Sequence, residues 1–183
     1  MKSILIIVGH SGAGKSTLAK EYILCKEYPL LTFRDVGKEL AIKNGFSSLG
    51  TYFNSTNTMV FKKDLGEELL KKIYDKMLKT DVLIIEGLVF WDVVLSIKNI
   101  YKNVLVVNID TPYEIRIERI AQKLRVTLQE AYENEKSKAK LKFALGIDDV
   151  LNRADFTLDG RKPVKMLVEE LGQFIDYNFC SNI

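Results

Sequence analysis

The stretch Gly9-His10-Ser11-Gly12-Ala13-Gly14-Lys15-Ser16, followed at once by Thr17, fits the phosphate-binding pattern G-x-x-x-x-G-K-[ST] at every fixed position. Each fixed residue has a physical task. The glycines let backbone N–H groups turn inward, Lys15 carries a point charge toward β- and γ-phosphates, and the Ser16 hydroxyl can take one position around Mg²⁺. Such a loop works only between a buried strand and a helix. Residues 3–8 form a short apolar run, and residues 16–26 place Leu18, Ala19, Tyr22 and Ile23 at helical spacing. The expected nucleotide contacts are therefore Gly9, His10, Ser11, Gly12, Ala13, Gly14, Lys15, Ser16 and Thr17. His10 occupies a variable position of the pattern, and its imidazole could also donate to phosphate.

Downstream, residues 30–33 read as a second strand with Arg34 and Asp35 at its end, where open α/β sheets place ligand contacts. Asp35 can cap a helix over residues 36–43 that Asn44 and Gly45 stop. Residues 47–58, rich in Ser, Thr and Asn and interleaved with Tyr52 and Phe53, read as a surface loop or a mobile substrate-binding segment. Leu65, Leu69, Leu70, Ile73, Met77 and Leu78 then give residues 62–79 the stripe of a helix packed on a sheet. The apolar run of residues 82–85 ends in Glu86, and an acid at the end of such a strand can help hold Mg²⁺; a solvated carboxylate is the alternative.

Residues 91–99 form a further helix with Trp91, Val94 and Leu95 inward, and residues 104–109 a further strand. Asp110-Thr111-Pro112 starts the next helix, with Asp110 or Thr111 as N-cap and Pro112 at the first helical position. That helix carries Arg116 and Arg119 on one face, with Ile115, Ile117, Ile120 and Leu124 apolar. Thr127 begins a helix through residue 142, residues 155–158 make an edge strand, and residues 163–177 a closing helix. Alternating strands and helices imply a three-layer α/β fold with a parallel five-stranded sheet and right-handed crossovers.

With 183 residues, 47% hydrophobic and 28% charged, residues 1–183 suffice for one globular domain. The apolar runs are too short to span a membrane and no signal-peptide segment leads the chain, so a cytoplasmic protein is expected. Cys25 and Cys180 lack metal or disulfide spacing and read as buried thiols. Residues 116–142 hold eight basic side chains against four acidic ones, a local excess of +4 where the whole chain carries +3. That excess can meet an anion or lie as a solvated helix face. Phosphoryl transfer needs aligned phosphates, a metal and positive charge where the transferring group passes. Lys15, Ser16 and Glu86 supply the first two, and Arg116, Arg119, Lys123 and Arg125 could close over the third.

On these motifs the chain resembles the nucleoside monophosphate kinases, and most of all the cytidylate kinase-like group. The matching residues are the phosphate loop, Thr32-Phe33-Arg34, Glu39-Leu40-Ala41, Asn44-Gly45, Glu86-Gly87, Arg116-Ile117-Glu118-Arg119-Ile120-Ala121 and Leu145-Gly146-Ile147-Asp148. The resemblance implies a P-loop NTPase fold with a helical lid over residues 116–142 and an acceptor-binding segment over residues 34–62. It also implies transfer of the ATP γ-phosphate to a nucleotide acceptor such as CMP or dCMP, with Mg²⁺ held by Ser16 and Glu86. Arg34 and Asp35 then contact the acceptor, Arg116, Arg119 and Arg125 act in the lid, and residues 160–163 flank the adenine. Two departures are Leu88 after Gly87 and Lys123-Leu124-Arg125 where paired arginines are common.

The dephospho-coenzyme A kinases share the loop and an Arg-x-x-Arg helix, but usually carry an acidic pair where this chain has Arg34 and Asp35. A nucleotide-driven switch and a nucleic-acid end kinase are the remaining readings. Nucleic acid is disfavoured because no aromatic-basic stripe accompanies Lys136 to Lys142. The sequence leaves the oligomeric state open.

Overall fold

The computed structural model describes residues 2–180, apart from the side chains of Leu24, Cys25, Lys26, Phe179 and Cys180. The expectation of buried thiols at Cys25 and Cys180 therefore lies outside the described residues. The first strand, β1 (Ser3–Val8), is buried at every position, as a central strand covered on both faces must be. Its side chains alternate: Ile4, Ile6 and Val8 enter one apolar core, and Leu5 and Ile7 enter the other. The chain continues as α1 (Lys15–Lys26), β2 (Leu30–Thr32), α2 (Phe33–Lys43), α3 (Leu49–Ser55), α4 (Thr58–Met77), β3 (Val82–Glu86) and α5 (Trp91–Ile100). It then forms β4 (Asn103–Asp110), α6 (Tyr113–Leu124), α7 (Leu128–Leu145), α8 (Ile147–Asn152), β5 (Phe156–Asp159) and α9 (Val164–Cys180).

The five strands pair in the order β2-β3-β1-β4-β5, every pair parallel. α1 and α9 cover one face through Leu18, Tyr22, Leu167 and Leu171; α2, α4, α5 and α8 cover the other through Val36, Leu69, Val94 and Val150. This is the expected three-layer α/β architecture, with β5 at an edge. No helix among the described residues is long and apolar enough to cross a membrane.

Several local expectations are corrected. β2 ends at Thr32, not residue 33, because Thr32 is itself the N-cap of α2: its Oγ1 accepts from the Asp35 amide at 3.0 Å and donates to Asp35 Oδ2 at 2.6 Å. Asp35 thus sits in the first turn and does not cap. A Ser/Thr three residues before an acid is the spacing of a capping box, and it outcompetes a later start. Residues 47–58 are not an irregular loop. Ser48 and Thr51 cap α3 reciprocally, and Asn57 caps α4, which begins at Thr58.

The aromatics of that segment face inward. Tyr52 is buried, stacks on Phe46 at 4.9 Å, meets Phe61 at 5.2 Å and donates to Asp64 Oδ2 at 2.5 Å. Burial followed by that hydrogen bond pushes the Tyr52 hydroxyl up to about 12. In α5 the inward residues are Val93, Val94 and Ile97, whereas Leu95 is 42% exposed. Pro112 stands at the N-cap of α6 without a side-chain bond, and the Thr111 hydroxyl goes elsewhere.

Candidate active site

The loop between β1 and α1 lies at the carboxyl ends of the strands, the position where parallel sheets receive ligands. Its own lysine and two side chains from further along the chain hold its carbonyl groups. Lys15 Nζ donates to His10 O at 2.8 Å, Arg116 Nη1 to Ser11 O at 3.1 Å, and Thr111 Oγ1 to Ala13 O at 3.0 Å. Within the loop, the Ala13 N–H turns back onto the His10 carbonyl at 3.3 Å. Gly12, at φ +78°, shows how closely the α6 backbone rests on the loop: a Cβ there would stand 2.5 Å from the Arg116 carbonyl oxygen.

Parallel pairing of β1 with β3 sets Ile7 beside Glu86. That register brings the first turn of α1 to the end of β3, and Ser16 Oγ donates to Glu86 Oε1 at 2.6 Å. Lys15 has no carboxylate partner within ion-pair distance among the described residues. Burial, and then the charge of Lys142, push it down to about 7 against the pull of Glu86. The His10 imidazole is likewise held below its ordinary value, first by burial and then by Arg116 and Lys142.

The basic residues of α6 and α7 occupy three different situations. Arg116 is 8% exposed: its Nη1 meets Glu135 Oε1 at 3.2 Å, its Nε donates to Thr111 O at 3.2 Å, and its guanidinium lies 5.1 Å from the Tyr113 ring. It braces α6, α7 and the loop together and is no solvated face. Arg119 reaches the opposite flank, donating to Gly160 O at 2.8 Å and Ala13 O at 3.4 Å. Residues 160–163 are thereby tied to the loop, and Gly160 admits this because a Cβ would overlap the Thr111 hydroxyl at 1.8 Å. Arg125 is exposed and ends α6 in the left-handed conformation at φ 57°.

Arg34 is exposed in the first turn of α2, and its charge bears on both Lys15 and Lys142. The structure therefore gathers Lys15, Ser16, Glu86, Arg34, Arg116 and Arg119 around the loop, while Asp35 is engaged by Thr32 and Arg125 ends its helix. Sequence reasoning missed Lys142 and Glu135. Lys142 Nζ donates to Ser11 Oγ at 3.0 Å, and Glu135, 3% exposed, holds Arg116. The signal was present: Ala131, Glu135, Lys142 and Leu145 fall on one face at helical spacing, but two charges interrupt the apolar stripe.

A phosphate loop after the first of five parallel strands ordered 2-3-1-4-5, crossed by a helical pair, defines the fold of the P-loop kinases. Solved structures agree. Shikimate kinase from Aquifex aeolicus shares 22% identity at a TM-score of 0.58, covering 97% of this chain and 98% of its own. Shikimate kinase from Bacteroides thetaiotaomicron shares 14% at 0.67, covering 95% and 98%. By sequence, the chain is similar to a UPF0200 protein of Thermococcus kodakarensis, 24% identical over 92% of this chain and 97% of the relative. It also matches a UPF0200/UPF0201 protein of Archaeoglobus fulgidus, 22% identical over 94% of this chain and 54% of that longer relative. No protein-family model matches the chain. At these identities the likeness establishes the fold.

Proposed function

We propose that this protein is an ATP-dependent phosphotransferase of the nucleoside monophosphate kinase type. The observation that carries the reading is the convergence, at the ends of β1, β2 and β3, of Lys15, the Ser16–Glu86 pair and Arg34. The loop and Lys15 bind the donor phosphates, and Arg34 receives an anionic acceptor. Ser16 and Glu86 offer oxygen donors only, which suits Mg²⁺, an ion that completes its shell with water and phosphate oxygens; bound there, it would neutralise charge on the β- and γ-phosphates. Arg119 and the Gly160 turn, joined by their hydrogen bond, form the wall on the nucleoside side of the donor.

In the transfer, an acceptor oxygen forms a bond to the γ-phosphorus while the bond from that phosphorus to the β,γ-bridging oxygen breaks, its electron pair leaving on ADP. A monophosphate supplies an oxygen that is already anionic, whereas a sugar hydroxyl needs a base. Three carboxylates at this end of the fold are each engaged: Glu86 by Ser16, Asp35 by Thr32 and Glu135 by Arg116. That engagement favours the monophosphate over the dephospho-coenzyme A reading, in which Asp35 is the base.

The test is ADP release from ATP·Mg²⁺ against a panel of CMP, dCMP, UMP, AMP, other deoxynucleotides, dephospho-coenzyme A and shikimate. The last is included because a shikimate kinase from Acinetobacter baumannii, seen in complex with shikimate, shares the fold at a TM-score of 0.62 and 16% identity over 97% of this chain and 95% of its own. Turnover with a monophosphate is the expected result. Turnover with dephospho-coenzyme A or shikimate alone would overturn the acceptor assignment.

A further inference from the structure

The cations around the loop are not equivalent. Arg116 is neutralised by Glu135 and bonded to two carbonyl groups, and Arg119 is committed to the carbonyls of Ala13 and Gly160. Lys142 has no carboxylate within ion-pair distance among the described residues; its bond is to the neutral Ser11 hydroxyl, at 3.0 Å. It comes from α7, yet it reaches the same loop as Lys15, and its charge is felt there by Lys15 and His10. Arg34, across the cleft on α2, repels both Lys142 and Lys15. Three half-buried or converging cations that repel one another form a site whose natural complement is an anion set between them.

The placement of Lys142 is built, not accidental. α7 is capped reciprocally by Thr127 and Glu130 and packs on α6 through Ala131, which is fully buried with Ile117 and Ile120. Two helical turns before Lys142 on the same face, Glu135 fastens α7 to Arg116 and through it to the Ser11 carbonyl. The ion pair thus removes Arg116 from service as a mobile charge while fixing the helix that delivers Lys142.

Resting on the phosphotransfer reading above, we propose that Lys142 is a catalytic residue: the cation that contacts the transferring phosphoryl group between Lys15 on the donor side and Arg34 on the acceptor side. Lys142 acts through its charge and takes no part in proton transfer. It supplies charge to the equatorial oxygens of the γ-phosphoryl group as the bond to the acceptor oxygen forms and the bond to the bridging oxygen of ADP breaks. The Ser11 hydroxyl parks its ammonium group at the loop until the phosphate arrives.

The experiment compares wild type, Lys142→Ala, Lys142→Arg and, as a control from the exposed basic run, Lys136→Ala. It measures kcat, KM for ATP and acceptor, melting temperature, and binding of ADP with aluminium fluoride as a transition-state analogue. Lys142→Ala is expected to lower kcat about 10²- to 10³-fold and to weaken analogue binding comparably, while ATP affinity changes less than about threefold. Lys142→Arg should recover part of both, and Lys136→Ala should match wild type. An unchanged kcat in Lys142→Ala beside an active wild type overturns this assignment alone, as does a loss that appears equally in ATP affinity and melting temperature. A wild type without turnover on any acceptor overturns the phosphotransfer reading together with it.

Discussion

Ser16 Oγ lies 2.6 Å from Glu86 Oε1, joining the first turn of α1 to the end of β3 across 70 residues of chain. Neither residue reaches the other by local structure. The pair exists because β1 and β3 are parallel neighbours in register, with Ile7 opposite Glu86 and the Gly87 amide donating to the Ile7 carbonyl at 2.8 Å. Glu86→Gln keeps the shape of this pair and removes its charge. It is expected to lower kcat at limiting Mg²⁺ by at least about tenfold, with partial recovery as Mg²⁺ is raised. A Mg²⁺ titration of turnover that superimposes on wild type would remove Glu86 from the metal site.

Lys15 carries its charge at a cost when no nucleotide is bound. Its folded value, about 7, lies below that of an unfolded lysine, so between about pH 7 and pH 10 the unfolded chain holds more protons and stability rises with pH. Relative to Lys15→Met, wild type should therefore gain stability as pH increases from 7 to 9, measured by urea denaturation. The same variant should fold and yet lose all thermal stabilisation by ATP.

Bound phosphates restore the charge of Lys15. At pH 8 the free protein holds this lysine mostly neutral and the nucleotide complex holds it protonated, so ATP binding should take up a proton, approaching about one per site. Calorimetry in buffers of different ionisation enthalpy reads this directly, and proton release would contradict it.

Arg116 and Glu135 form a buried pair, with side chains 10% and 4% exposed. Arg116→Ala leaves Glu135 buried without its partner and should destabilise the fold by about 3 to 5 kcal/mol in urea unfolding. Glu135→Gln retains a hydrogen-bonding acceptor and should cost less. Equal stability of wild type and Arg116→Ala would show that the arginine is dispensable to the brace.

Arg119 and Arg34 stand on opposite sides of the loop. Arg119→Ala, which releases the Gly160 turn, should raise KM for ATP more than KM for the acceptor. Arg34→Ala should do the reverse. If both variants changed the same constant, the donor and acceptor sides would be wrongly assigned.

Much of this fold is legible in the chain itself. The loop pattern, the apolar run before it and the helical spacing after it depend on short-range chemistry, and strands buried on both faces advertise themselves as unbroken apolar runs. Arg34, Ser16 and Glu86 could be nominated because strand ends are predictable from such runs. The segment of residues 47–58 was misread because its polar composition resembles a loop, while the Ser48–Thr51 capping box that starts α3 involves only two small side chains. Arg116 was legible as a basic residue near the loop, but its burial was not, since the acid that compensates it lies on another helix.

What the sequence determined by itself is the phosphate loop and the alternation of strands and helices, because hydrogen-bonding geometry and side-chain periodicity act over a few residues. The tertiary structure decided which charges are spent and which are free. Packing α7 on α6 pairs Glu135 with Arg116 and brings Lys142 to the Ser11 hydroxyl without an ion-pair partner among the described residues, while Arg119 turns to the Gly160 carbonyl. Such pairing depends on distances between elements remote in sequence, and at low dielectric those distances set the strength of every interaction.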